Sequence, residues 1–194
     1  MLRKKLESMS RQQTTICVFG SSQVQPGSIE YDEGKLTGAL LAGLGWTVCT
    51  GGYGGVMEAV SRGAKEAGGR TVGVTTQVFS HRTGNPWLDE VIHTDTLINR
   101  ARTLIERGDG YIALKGGIGT LTEISLVWSL LQTQAFPSKP FVLLRDPWED
   151  LLEFCSARLI LRPQDLHHLH TAPDPGSAVS AVEALIHASR GPKG

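Results

Sequence analysis

The sequence predicts an α/β fold in three layers, a central parallel sheet flanked by helices. Short apolar, β-branched runs alternate with amphipathic stretches of about 10–15 residues, the pattern of strand–helix–strand units with right-handed crossovers. Hydrophobic residues make up 40% of the chain and glycine contributes 23 residues, which suits a globular protein with several tight loops. Glycines close three of the apolar runs, at Gly20, at Gly51 and Gly52, and at Gly116, Gly117 and Gly119. In open parallel sheets the loops at the carboxyl ends of strands build the ligand crevice, so these three turns are expected to converge.

Residues 1–13 (MLRKKLESMSRQQ) are polar and basic, and no apolar stretch follows them. They read as a loose tail rather than a signal peptide, ahead of a single domain over residues 14–194. Thr15 to Phe19 is a strand, ended by Gly20, Ser21 and Ser22. Tyr31 to Leu44 has helical spacing, with Leu36, Leu40, Leu41 and Leu44 on one face. Trp46 to Cys49 is the second strand, and a helix from Gly55 to Ala67 stops at Gly68 and Gly69. Thr71 to Thr75 is a strand, 77–89 a loop, and Glu90 to His93 a short strand. Leu97 to Arg107 is a helix whose apolar face leaves Arg100 and Arg102 at opposite edges. Tyr111 to Leu114 is a buried strand, and a helix opens at Thr120. That helix is apolar over more than half its circumference, which predicts cover by the sheet on one side and by a partner subunit on the other. Phe141 to Leu144 is a strand, Trp148 to Leu159 a helix, Leu166 to His170 an edge strand and Ser177 to Ser189 the last helix.

Composition excludes several classes of function. Lys plus Arg and Asp plus Glu both number 19, so no net field draws nucleic acid or a membrane surface, and a small ligand is favoured. No apolar run reaches the roughly 20 residues of a membrane span. Cys17, Cys49 and Cys155 lie in apolar segments without metal spacing and read as reduced core residues of a cytoplasmic protein. His167, His168 and His170 lack a fourth ligand nearby and read as a solvent-facing edge rather than a metal site. A conventional dinucleotide site is not expected, because the first strand is followed by FGSSQVQPG, without G-x-G-x-x-G.

The most informative stretch runs from Tyr111 to Leu131 (YIALKGGIGTLTEISLVWSLL). Gly116, Gly117 and Gly119 sit where strand becomes helix, so backbone N–H groups and the helix dipole can hold a phosphate. Glu123 stands one turn further on, which brings a carboxylate beside that phosphate. Thr120 to Glu123 equally fits a capping box, in which Glu123 bonds back to the Thr120 N–H. Glu58, in the first turn after the second glycine loop, fits a solvated acid or a contact to ribose hydroxyls.

KGGIGTLTE (Lys115 to Glu123) resembles the PGGxGTxxE signature of the LOG family of nucleoside 5′-monophosphate phosphoribohydrolases. GGYGGVMEAVSRGAKEAGG (Gly51 to Gly69) is similar to that family's second glycine loop and helix. Arg100 falls where its MxxRK motif has an arginine. Lys115 replaces the motif proline and Ala101 the motif lysine. The resemblance implies a modified Rossmann-like architecture, a homodimer, and hydrolysis of an N-glycosidic bond to free base and ribose 5-phosphate. It places Glu123 at the anomeric carbon, with Arg100 holding it ionised or contacting the ligand. Gly20, Ser21, Gly51, Gly52, Glu58, Lys115, Gly116, Gly117, Gly119 and Thr120 would bind the nucleotide, with no metal or redox cofactor required. Related folds carry nucleotides or the molybdenum cofactor without turnover, which is the alternative reading.

Overall fold

Among the described residues seven strands form one sheet: β1 (Thr15–Phe19), β2 (Thr47–Thr50), β3 (Thr71–Thr76), β4 (Glu90–Thr94), β5 (Gly110–Ala113), β6 (Phe141–Leu144) and β7 (His170–Ala172). Their spatial order is β4-β3-β2-β1-β5-β6-β7, and every neighbouring pair is parallel. The computed structural model describes residues 13–190, so all of the expected N-terminal tail except Gln13 lies outside the described residues. Among the described residues seven α-helices connect or flank the strands: α1 (Ile29–Gly43), α2 (Val56–Glu66), α3 (Leu97–Arg107), α4 (Ile118–Gln132), α5 (Arg145–Arg158), α6 (Pro163–Leu166) and α7 (Pro175–Arg190).

The strand period of two divides each central strand between two cores. Ile16, Val18, Val48, Ile112 and Val142 face one side, where Leu41 of α1, Val60 of α2 and Val182 of α7 cover them. Cys17, Phe19, Cys49, Tyr111 and Phe141 face the other, under Leu104 of α3, Val127 of α4 and Trp148 of α5. With both faces covered, the inner strands are buried except at Thr15, which is why they read as nearly unbroken apolar runs. No helix among the described residues is long and apolar enough to cross a membrane.

Two expectations need correction. Residues 166–170 do not form the edge strand. Pro163 opens a helical turn there, and Asp165 closes it by accepting from the Arg162 N–H (2.9 Å) and side chain (2.8 Å). The strand begins only at His170 and pairs with β6. Cys155 is not a core residue; it is half-buried on α5, whereas Cys17 and Cys49 are fully buried register partners on β1 and β2.

Candidate active site

From β1 the chain steps outward through β2 and β3 to β4, then returns to lay β5 on the opposite side of β1. The strand order therefore reverses between β1 and β5, and the loops leaving their carboxyl ends diverge into a crevice. A cleft of about 600 Å³ opens there. Its rim is stitched by the backbone. The Ser21 N–H donates to the Lys115 carbonyl (3.1 Å), and the Val56 N–H donates to the Ser21 carbonyl (2.7 Å). The loops after β1, β2 and β5 are thus tied together. Gly55 sits at φ +72°, and a Cβ on it would run into the backbone of Ser21 and Ser22, so only glycine closes this junction.

Two helices point their N-termini at this region, and they differ. The first N–H of α2 is satisfied by Ser21, as above. The N-terminus of α4 starts at Gly117 and has no side-chain cap, so its first-turn donors are left for a ligand. The expected capping box does not form: Thr120 lies inside the helix, and the Glu123 carboxylate turns to Arg100 instead. A Cβ on Gly116 would strike the Thr120 side chain, whereas one on Gly117 or Gly119 would meet nothing. Gly117 and Gly119 are open towards space and not packed against protein.

Glu123 is 8% exposed on the cleft floor, with Arg100 Nη1 3.3 Å from its Oε1. Arg100 spends its other donors on the carbonyls of Val74 (2.8 Å) and Gly51 (3.1 Å), and its guanidinium lies 5.8 Å from the centre of the Tyr53 ring. Burial pushes the Glu123 carboxyl up to about 7, and the attraction of Arg100 only partly offsets this. Arg100 therefore does not hold Glu123 firmly ionised. One long contact from a guanidinium already engaged elsewhere is too weak to compensate the desolvation. A carboxyl titrating near neutrality is suited to proton transfer.

A stability effect follows from this shift. Because the folded-state value lies above the ordinary one near 4.5, the ligand-free protein holds this proton more tightly than the unfolded chain does. It is expected to lose on the order of 3 kcal/mol as pH rises from about 4.5 through about 7, with no further change from this group above. Denaturant titrations should show the stability difference between wild type and Glu123→Gln changing by that amount over this window and staying constant above it.

Of the residues singled out from the sequence, Gly20, Ser21, Gly51, Arg100, Lys115, Gly116, Gly117, Gly119, Thr120 and Glu123 all line the cleft. Gly52 and Glu58 do not: Gly52 is buried behind it against Gly73 and Thr75, and Glu58 accepts from the Tyr31 hydroxyl at 3.3 Å. Sequence reasoning missed Tyr53, Met57, Phe79 and Arg82, which also line it. The aromatic Tyr53 set between two glycines was the one available signal; nothing in the 77–89 segment announced that it would fold over the sheet edge. No group of three His, Cys, Asp or Glu among the described residues is placed to hold a metal ion, His167, His168 and His170 included.

Lys115 lies at the mouth, and its ammonium is shared between Glu30 (3.3 Å) and Asp146 (3.4 Å). These two carboxylates hold its proton above the usual lysine range. The charge that a phosphate would meet is thus already half neutralised and exposed to solvent. Lys115→Ala is expected to weaken binding of a phosphate group only modestly at low salt and not at all at high salt, as titration with inorganic phosphate at two ionic strengths would show.

The SLOG cluster4 family model matches residues 13–149. A Mycobacterium tuberculosis protein named cytokinin riboside 5′-monophosphate phosphoribohydrolase is 41% identical over 115 residues, 57% of this chain and 59% of that protein. The chain thus spans about three-fifths of that relative's length. A rice (Oryza sativa) protein named probable cytokinin riboside 5′-monophosphate phosphoribohydrolase is 32% identical over 181 residues, 88% of this chain and 78% of its own. Among solved structures, the molybdenum cofactor binding protein of Rippkaea orientalis superposes with a TM-score of 0.75 at 27% identity, over 91% of this chain and 99% of that one. The family match over most of the described chain agrees with the glycine loops and the paired arginine and glutamate, and the chain belongs to the SLOG cluster4 family of LOG-type proteins.

Proposed function

We propose that the protein hydrolyses the N-glycosidic bond of a nucleoside 5′-monophosphate, releasing the free base and ribose 5-phosphate. The observation that carries this reading is the buried Glu123–Arg100 pair beside an uncapped helix N-terminus in one cleft. The Gly116–Thr120 turn would hold the 5′-phosphate, which sets the sugar over Glu123. Water adds its oxygen to the anomeric carbon as the bond to the base breaks. The Glu123 carboxylate takes a proton from that water and offsets the positive charge growing on the sugar ring. The base leaves with the electron pair of the broken bond and takes up a proton from solvent, while Glu123 gives the proton taken from water back to solvent. Arg100 stays protonated throughout, so its part is to orient Glu123 and the ligand. The names of the mycobacterial and rice relatives support the same chemistry. Incubating the pure protein with AMP and assaying adenine tests it.

A second reading is favoured by the likeness to a molybdenum cofactor binding protein. That reading is a carrier, with a cofactor held in the same cleft and not turned over. It predicts that AMP is bound weakly or returned intact, so the adenine assay separates the two.

The assembly we propose is a homodimer through the outer side of α4, in a cytoplasmic protein. Ile118 is 79% exposed there, and an apolar groove runs past Leu121 and Leu126. Such an exposed apolar patch suits a second copy of the chain. Light scattering at micromolar concentration is expected to return twice the chain mass; the mass of one chain would end the idea.

A further inference from the structure

Part of the cleft wall has no role in the scheme above. Tyr53 comes from the loop after β2, while Phe79 and Arg82 come from the segment after β3. The wall is anchored to the sheet. Tyr53 is 3% exposed; its hydroxyl donates to the Thr76 carbonyl (3.1 Å) and accepts from the Thr76 N–H (2.9 Å). The buried Asn85 amide donates to the Tyr53 carbonyl (3.1 Å), and the Asn85 N–H to the Gly52 carbonyl (2.9 Å). Phe79, half-buried, stands edge-on to Tyr53 with ring centres 5.7 Å apart. The exposed Arg82 lays its guanidinium 5.2 Å from the centre of the Phe79 ring and has no carboxylate partner among the described residues. An aromatic ring and a guanidinium plane are surfaces on which a further planar π system stacks.

The order of these groups along the sheet matches a ligand. Across the strand ends β3, β2, β1 and β5 come Phe79, then Tyr53, then the Gly20 turn, then the Gly116–Thr120 turn. Three strand spacings separate the ends, about 14 Å. Arg100 bridges the middle, touching Glu123 on one side and the Tyr53 ring on the other. Base, sugar and phosphate follow one another in that order in an extended nucleoside monophosphate.

We infer that Tyr53, Phe79 and Arg82 form a base-binding wall, and that it selects a purine with a bare outer edge over one carrying an apolar chain on N6. This rests on the nucleotide reading of the cleft and deepens it. Exposure rises outward from Tyr53 through Phe79 to Arg82, so the far edge of the base meets a guanidinium. That group offers donors only. An alkyl chain pressed against it would strip its water without returning hydrogen bonds, which is unfavourable.

The test measures binding of AMP, N6-isopentenyl-AMP and ribose 5-phosphate to wild type, Phe79→Ala and Arg82→Leu. Phe79→Ala should weaken AMP by about tenfold or more, the scale of one lost stacking contact, and leave ribose 5-phosphate unchanged because it has no base. Wild type should bind AMP more tightly than N6-isopentenyl-AMP, and Arg82→Leu, at an exposed position whose side-chain contact is with the Phe79 ring, should shrink or reverse that ratio. Unchanged AMP affinity in Phe79→Ala, or an equal loss of AMP and ribose 5-phosphate, overturns the wall. An AMP to N6-isopentenyl-AMP ratio that Arg82→Leu does not move overturns the selection. In each of these cases ribose 5-phosphate still binds wild type and the nucleotide reading stands. Wild type binding none of the three would bring down that reading and the inference with it.

Discussion

Glu123→Gln is expected to retain AMP binding and to lose base release by at least about a hundredfold, the usual scale for one charge-stabilising or proton-transferring group. Glutamine keeps the shape and can still accept from Arg100, so the cleft floor should persist. What disappears is the negative charge under the sugar and the capacity to take a proton. Because glutamine imitates the protonated acid, no stability should be lost at neutral pH, which separates this loss from misfolding. The pH dependence gives a second check. If the carboxylate is the active form, kcat/KM of wild type should rise with pH, reach half its plateau near 7, and stay flat above. The second ionisation of the substrate phosphate, near 6, adds its own rise at lower pH. That contribution should remain visible in AMP binding to Glu123→Gln, where the titration near 7 is gone. Single-turnover base release by the variant at close to the wild-type rate would remove Glu123 from the chemistry.

Gly117→Val is expected to abolish thermal stabilisation by AMP while leaving the ligand-free melting temperature near that of wild type. The two halves of this expectation have separate grounds. Gly117 has φ −106° and ψ −152°, an extended conformation open to any residue, and a Cβ there meets no protein atom. The fold therefore does not require glycine at this position. A ligand approaching the first N–H groups of α4 does require the space, and a branched side chain would fill it. Ligand binding to the native state raises the melting temperature by mass action, so its disappearance reads directly as lost binding. Adenosine, lacking the phosphate, should stabilise neither protein. Equal stabilisation by AMP and adenosine in wild type would show that the turn does not hold a phosphate. A large drop in the unliganded melting temperature would contradict the open geometry at Gly117.

Much of the site was legible in the sequence because its parts are local. A glycine cluster at a strand end followed by a helix is an anion site whatever surrounds it, and Gly116 to Glu123 is one continuous segment. Arg100 came from motif resemblance alone, since a lone arginine on a helix carries no such signal. The shift of Glu123 was not legible. It depends on burial by segments far apart in sequence and on Arg100 being engaged by carbonyls on β3 and after β2. Glu58 shows the converse. Its position in the first turn of a helix after a glycine loop suited a ligand contact, yet that face of α2 meets Tyr31 of α1.

The sequence by itself determined the alternation of strand and helix, the parallel sheet, and the place of the glycine turn before α4, though not that the helix begins at Ile118 rather than Thr120. Each of these rests on short-range sterics and on a hydrophobic period that acts within a few residues. Only the tertiary structure decided how elements approach one another. Gly38 and Gly63 let α1 and α2 pack so closely that a Cβ on either would enter the partner's backbone, and neither glycine stands at a turn. The same holds for the far wall of the cleft. Phe79 and Arg82 read as loop residues, and they face the cleft because Tyr53 and Asn85 pin that segment over the ends of β2 and β3. Contacts of this kind depend on pairings across long stretches of chain, and no local periodicity encodes them.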